Sequence, residues 1–97
     1  MARFDTYRYG DGYLLDVQAG LLDGLNTRMV VPLMPLAKAP LPAERLNPVF
    51  AIEEGEFVMV TQFMAAVPVS ELGNPAGSLE PAYDAIRAAL DMLFDGF

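Results

Sequence analysis

Two runs near the start of the chain, Phe4 to Tyr9 and Tyr13 to Val17, are rich in aromatic and β-branched residues and are split by Gly10-Asp11-Gly12. Glycine and aspartate supply the positive-φ positions of a tight reversal, so the pattern predicts a β-hairpin. The apolar run Arg28 to Leu33 predicts a short strand. It is expected to end around Pro32 and Pro35, at an edge or a bulge, since proline has no N–H to give a ladder. Pro35, Pro40, Pro42 and Pro48 make the stretch from Leu33 to Pro48 a connecting segment, with one helical turn expected at Ala43 to Leu46. Val49 to Ile52 and Phe57 to Thr61 flank Glu53-Glu54-Gly55-Glu56, a second hairpin signal, and Met64 to Val69 predicts one more strand, interrupted by Pro68.

The last fifth of the chain has a different period. Leu79, Tyr83, Ile86, Leu90, Leu93, Phe94 and Phe97 recur at steps of three and four, which predicts one apolar face of a helix. Ser78 is placed to act as N-cap and Pro81 falls in the first turn, where its missing N–H costs nothing. Asp84, Arg87 and Asp91 fall on the opposite, wetter face. The fold class that follows is mainly β, an antiparallel structure with one C-terminal α-helix packed on it.

Composition narrows the function. A chain of 97 residues, 54% of them hydrophobic, fits a single domain over residues 1–97. A domain of this size buries only roughly two thirds of its unfolded surface, so association of subunits would help it. Net charge is -7 and the six basic residues are scattered, so no row of phosphates can be neutralised, and direct nucleic-acid binding is disfavoured. A basic protein surface is the better electrostatic match. No apolar run approaches the roughly 20 residues of a bilayer span. The first ten residues lack a signal-peptide pattern, and there is no cysteine. The cytoplasm is the expected location, without contact with a membrane.

Histidine and cysteine are both absent, which removes the usual general base, thiol nucleophile and imidazole metal ligand. No catalytic residue, metal site or cofactor is therefore expected. Glu53, Glu54 and Glu56 read as a solvated hairpin tip rather than a metal or acid/base site. Asp16, Asp23 and Arg28 could in principle form a ribonuclease-like set, with Arg holding a phosphate and Asp as base, but they read as surface charges bordering strands. Gly10/Gly12 and Gly20/Gly24 lack the context of a phosphate-cradling loop and read as turns. Leu21 and Leu22, between Gly20 and Asp23-Gly24, are expected to fold back on the core, the alternative being an exposed contact patch. The tip Phe94-Asp95-Gly96-Phe97 combines two aromatic rings, negative charge and a glycine, and stands open between a binding role and a packing role.

Taken in order, Asp16-Val17-Gln18, Leu21-Leu22-Asp23, Arg28-Met29-Val30-Val31-Pro32-Leu33, Asn47-Pro48-Val49-Phe50, Met64-Ala65-Ala66-Val67-Pro68-Val69 and Leu93-Phe94-Asp95-Gly96-Phe97 resemble the CcdB family of toxins from toxin–antitoxin systems. The resemblance covers nearly the whole chain. It implies an SH3-like, strongly bent antiparallel barrel with a small side sheet and a long C-terminal helix, assembled as a homodimer. By the same resemblance the dimer would dock on the DNA gyrase A subunit and trap the enzyme with its DNA cleaved, and a cognate antitoxin would neutralise it through a disordered C-terminal segment that folds on binding. The gyrase-contacting set implied by position is Leu21, Leu22, Asp91, Phe94, Asp95, Gly96 and Phe97. One position departs from the family pattern, which carries a tryptophan stacking on a gyrase arginine where this chain has Asp95. That leaves two alternatives beside the gyrase poison: a dimer that only binds antitoxin, and more remotely an mRNA-cleaving toxin of the related fold.

Overall fold

The computed structural model describes residues 2–97. Its first hairpin consists of β1 (Asp5–Tyr9) and β2 (Gly12–Asp16), joined through Gly10-Asp11 in the register Thr6 to Leu15 and Arg8 to Tyr13. Gly12 is required by a close approach, because a Cβ there would collide with the Leu33 carbonyl. The next strand, β3 (Thr27–Pro35), is the longest in the sheet, and it is followed by β4 (Val49–Ile52), β5 (Gly55–Met59), β6 (Ala65–Pro68) and the two-residue β7 (Gly77–Ser78). Among the described residues these seven strands form one antiparallel sheet, in the order β4-β5-β3-β2-β1-β7, with β6 also on β3.

The sheet turns on β3, which does not end at Pro32. Along one edge it pairs with β2, from Leu33 opposite Tyr13 to Val30 opposite Asp16. Along the other edge Thr27 to Val30 pair with β6, while Leu33 to Pro35 pair with β5. The Pro32 carbonyl accepts the Val60 N–H at 3.0 Å, so the missing proline N–H faces the same edge, in the gap between the two partners. Proline is tolerated in this central strand because the ladder on that side has already stopped. The sheet curls until its two ends approach each other: Ala51 and Ile52 of β4 and Gly77 and Ser78 of β7 line one cavity of about 250 Å³. The result is a curled antiparallel half-barrel.

Every residue of β2 is buried, so both faces of the sheet are covered there. On the inner face Phe4, Tyr13, Leu15, Val17, Val31, Leu33 and Met59 pack with Ile86 and Ala89. On the other face lie Tyr7, Leu14, Val30 and the charged pair Asp16 and Arg28, all buried. Asn47 holds the proline-rich connection against the barrel, donating to the Met59 carbonyl at 3.0 Å and to Gln62 Oε1 at 2.8 Å. The helical turn expected at Ala43 to Leu46 is only an isolated reversal. Arg45 there takes a positive φ of 67°, which no helix continues.

The single helix, α1, spans Tyr83–Asp95. Ser78 does not cap it. Its hydroxyl accepts the Glu80 N–H at 3.2 Å and so starts a 3₁₀ turn, Glu80–Ala82, that places Pro81 ahead of the α-helix. Ala82 occupies the N-cap position without a side-chain bond, and the helix start is held instead by the Tyr83 ring, edge-on to Phe4 at 5.6 Å. Burial falls along the helix, from Ile86 and Ala89 through half-buried Leu90 and Leu93 to exposed Phe94. The expected apolar face is therefore only partly a packing face, because α1 outruns the sheet it rests on.

This division predicts opposite outcomes along one helix. Ile86→Ala should destabilise the fold by about 2–5 kcal/mol through the cavity it leaves. Phe94→Ala should change stability by less than about 0.5 kcal/mol. Urea unfolding followed by circular dichroism distinguishes them, and a large loss for Phe94→Ala would mean that the tip packs.

Candidate functional site

Two exposed features stand apart from the core. The first is the turn after β2. Asp16 closes that strand, and Gln18 to Asn26 lead back into β3 through a short 3₁₀ segment, Gly20–Leu22, none of whose residues is buried. Leu21 is 99% exposed and Leu22 48%, so these leucines do not fold back on the core. With Leu25, 50% exposed, they form an apolar patch on a polar foundation.

That foundation is a buried ion cluster. Arg28 Nε donates to Asp16 Oδ2 at 2.8 Å. Its Nη2 lies 2.6 Å from the same oxygen, in ion-pair contact but not aligned as a hydrogen bond. The remaining arm, Nη1, donates to Asp23 Oδ1 at 2.8 Å. The other Asp16 oxygen accepts the Gln18 N–H at 3.0 Å. Gln18 then spans the turn, its Nε2 donating to the Leu22 carbonyl at 2.8 Å and its Oε1 accepting the Met29 N–H at 3.0 Å.

Burial pushes the Asp16 carboxyl up, against the pull of the Gln18 amide and of Arg28. Burial also opposes the Arg28 charge, yet the bonds to Asp23 and Asp16 outweigh it and raise that pKa. Directed donors on both sides, and a guanidinium that does not deprotonate in proteins, keep the pair ionised at neutral pH. The Tyr7 hydroxyl is buried beside the cluster, and burial, with Asp5 and Asp16 nearby, raises its pKa.

The structure brings Asp16, Asp23 and Arg28 together: Asp16 and Arg28 are fully buried rather than surface charges bordering strands, while Asp23 stays at the surface, as expected. Their arrangement does not fit a phosphate site, since Arg28 is fully buried and its donors point at carboxylates. Glu53, Glu54 and Glu56 remain at an exposed hairpin tip, where Glu53 meets Arg8 at 3.4 Å. Such a pair contributes little.

The second feature is the end of α1. Phe94 is 69% exposed and Phe97 77%, with Asp91 and Asp95 exposed beside them. Gly96 closes the helix at a φ of 80°, its N–H donating to the Met92 carbonyl at 3.1 Å, so it directs Phe97 away from the helix axis. The last turn holds no basic residue, and neither Asp91 nor Asp95 makes an ion pair among the described residues. The helix's own cation, Arg87, donates to the Tyr83 hydroxyl at 2.7 Å, a bond that raises its pKa. Acidic groups at a helix C-terminus oppose the macrodipole at a cost of roughly 0.3–1 kcal/mol each.

The turn and the helix tip share no hydrogen bond or ion pair among the described residues. Each is a separate apolar patch, one on a buried salt cluster and one ringed by acidic charge. Gln18 is the site residue that residue-by-residue reading missed. Its signal was only its place in Asp16-Val17-Gln18, because nothing local shows a side chain bridging eleven residues.

The chain belongs to the CcdB family: the family model, described as CcdB protein, matches residues 3–96. It is accordingly a toxin of a toxin–antitoxin system. No helix of the structure is long and apolar enough to cross a membrane.

The buried cluster yields its own prediction. Arg28→Ala leaves Asp16 charged, buried and without its partner, and should destabilise the fold by about 3–5 kcal/mol, whereas Arg8→Ala at the exposed pair should cost under about 1 kcal/mol. Thermal unfolding of both variants checks this.

Proposed function

We propose that the chain acts in the cytoplasm as a homodimer that binds the DNA gyrase A subunit and traps the gyrase–DNA cleavage complex, and that a cognate antitoxin with a disordered C-terminal segment neutralises it. The supporting observation is the helix tip. Two aromatic rings that contribute nothing to the core stand beside Asp91 and Asp95, both held at a helix end where the fold disfavours them. Burying a phenylalanine is worth about 1.5–3 kcal/mol, so their exposure favours a partner that covers them. The unpaired carboxylates favour a partner that is basic. The contact set is Leu21, Leu22, Asp91, Phe94, Asp95, Gly96 and Phe97, and a two-fold dimer presents each of them twice.

Asp95 cannot stack as the tryptophan of the family pattern does, so recognition here depends on charge-assisted pairing with arginine, while Phe97 supplies apolar area. The same residue favours a second reading, a dimer that binds antitoxin without poisoning gyrase. Induced expression in a bacterial host separates the two: growth arrest with a DNA-damage response supports the poison, and no arrest supports the inert dimer. Arrest with loss of mRNA would instead support a ribonuclease, a reading that the burial of Arg28 disfavours.

Deleting Phe97, or making Gly96→Glu, should abolish toxicity with the fold intact, and a variant that stays lethal overturns the assignment. Affinity for the gyrase A subunit should fall several-fold between about 0.05 and 0.3 M salt, since exposed charges are screened beyond roughly a Debye length. An affinity indifferent to salt would remove the electrostatic part of the proposal.

A further inference from the structure

The turn carrying Leu21 and Leu22 has little reason to be ordered. It contains Ala19, Gly20 and Gly24, and its 3₁₀ segment buries nothing. Left to itself, a leucine pair on such a segment would collapse onto the nearest apolar surface, because covering it is favourable. What holds it out is polar. Gln18 ties the Leu22 carbonyl to the Met29 N–H across the base of the turn. Arg28 reaches from the buried cluster to Asp23, the residue that ends the 3₁₀ segment. Backbone bonds from Leu22 to Ala19 and from Leu25 to Leu22, at 2.9 and 3.1 Å, complete the frame, and the Val69 N–H meets the Asn26 carbonyl at 2.9 Å where the turn re-enters the sheet.

Charge balance does not account for Asp23. Asp16 alone neutralises Arg28 and is as fully buried as it is, while the Asp23 side chain is 51% exposed. A second carboxylate leaves the cluster with net negative charge, so its contribution is mechanical: it fastens the turn to a guanidinium that cannot move. Gln18 acts on the same turn from the other side, with both ends of one amide used.

We propose that Asp23, fastened to the buried Arg28, and Gln18, fastened to the Met29 amide, are positioning residues that hold the Leu21-Leu22 turn in its docking conformation, so that its ordering cost is met on folding rather than on binding. The proposal rests on the reading of Leu21 and Leu22 as partner contacts.

Asp23→Ala tests it, since Arg28 keeps Asp16 and the fold is retained. Amide hydrogen exchange at residues 21–25 should accelerate about tenfold or more while the inner-face residues of β2 and β3 stay protected. Affinity for the purified gyrase A subunit should fall about five- to tenfold, and Asp23→Asn, which keeps an acceptor for Nη1, should recover it to within about twofold. In a Leu21→Ala/Leu22→Ala background the same Asp23→Ala change should cost less than about twofold, because the turn it positions no longer presents anything. Unchanged exchange overturns the proposal. An equal Asp23→Ala loss in both backgrounds also overturns it, by showing that Asp23 meets the partner itself. If exchange accelerates but the double leucine variant binds as tightly as the parent, the clamp exists and the leucines are not contacts. That outcome rejects the positioning role by way of the site reading, and the exchange data tell the two failures apart.

Discussion

Arg28 is a full positive charge with none of its surface in water, and the fold is organised around keeping it paired. Taking such a charge out of water costs several kcal/mol unless a carboxylate meets it in good geometry. Asp16 does so from the neighbouring strand; its own cross-strand partner is Val30, two positions along β3 from Arg28. The pair therefore also specifies register. A one-residue slip of β2 against β3 would turn Asp16 toward the inner face among Val31, Leu33 and Met59, and leave Arg28 without its carboxylate. Apolar packing alone would penalise that slip less steeply, because β2 is buried on both faces and presents leucines to either side.

Register at β2 and β3 then propagates. With Leu33 opposite Tyr13, the far edge of β3 presents Leu33 to Pro35 to β5 and Thr27 to Val30 to β6, and Pro32 falls between them. A proline whose missing N–H faced a paired stretch of either partner would remove a ladder bond. Here it marks where one partner strand ends and the other begins, and the Val60 amide takes its carbonyl. This junction allows one long strand to serve both the barrel and the flap formed by β6.

Much of this was legible in the chain, where the signal was local. Gly10-Asp11-Gly12 and Glu53-Glu54-Gly55 announce their hairpins through turn chemistry, and the spacing from Tyr83 to Leu90 announces the helix. Reading failed where the decisive partner was distant or the residue type misleading. Pro32 looked like a strand end because its neighbours in space, β5 and β6, lie some thirty residues away. Asp16 and Arg28 looked solvated because such residues are seldom fully buried unless paired, and pairing between strands leaves no periodic trace. Leu21 and Leu22 erred in the opposite sense: apolar residues suggest the interior, and only the Gln18 and Asp23 bonds reveal why these stay outside.

The helix shows how binding and folding are kept apart in so small a protein. Its first half, through Ile86 and Ala89, closes the half-barrel, and its second half extends beyond the core with Phe94, Asp95 and Phe97 in water. Under the proposed reading of the tip as a contact surface, substitutions there alter recognition with little loss of stability, so a sequence can exchange an aromatic ring for Asp95 without endangering the fold. The exchange also changes the character of the surface. A carboxylate at a helix C-terminus adds to the negative end of the dipole and, on a chain of net charge -7, to a field that reaches a partner before contact. In the proposed gyrase contact, what the tip loses in stacking it regains as attraction at a distance, which favours a basic target and weakens as salt rises.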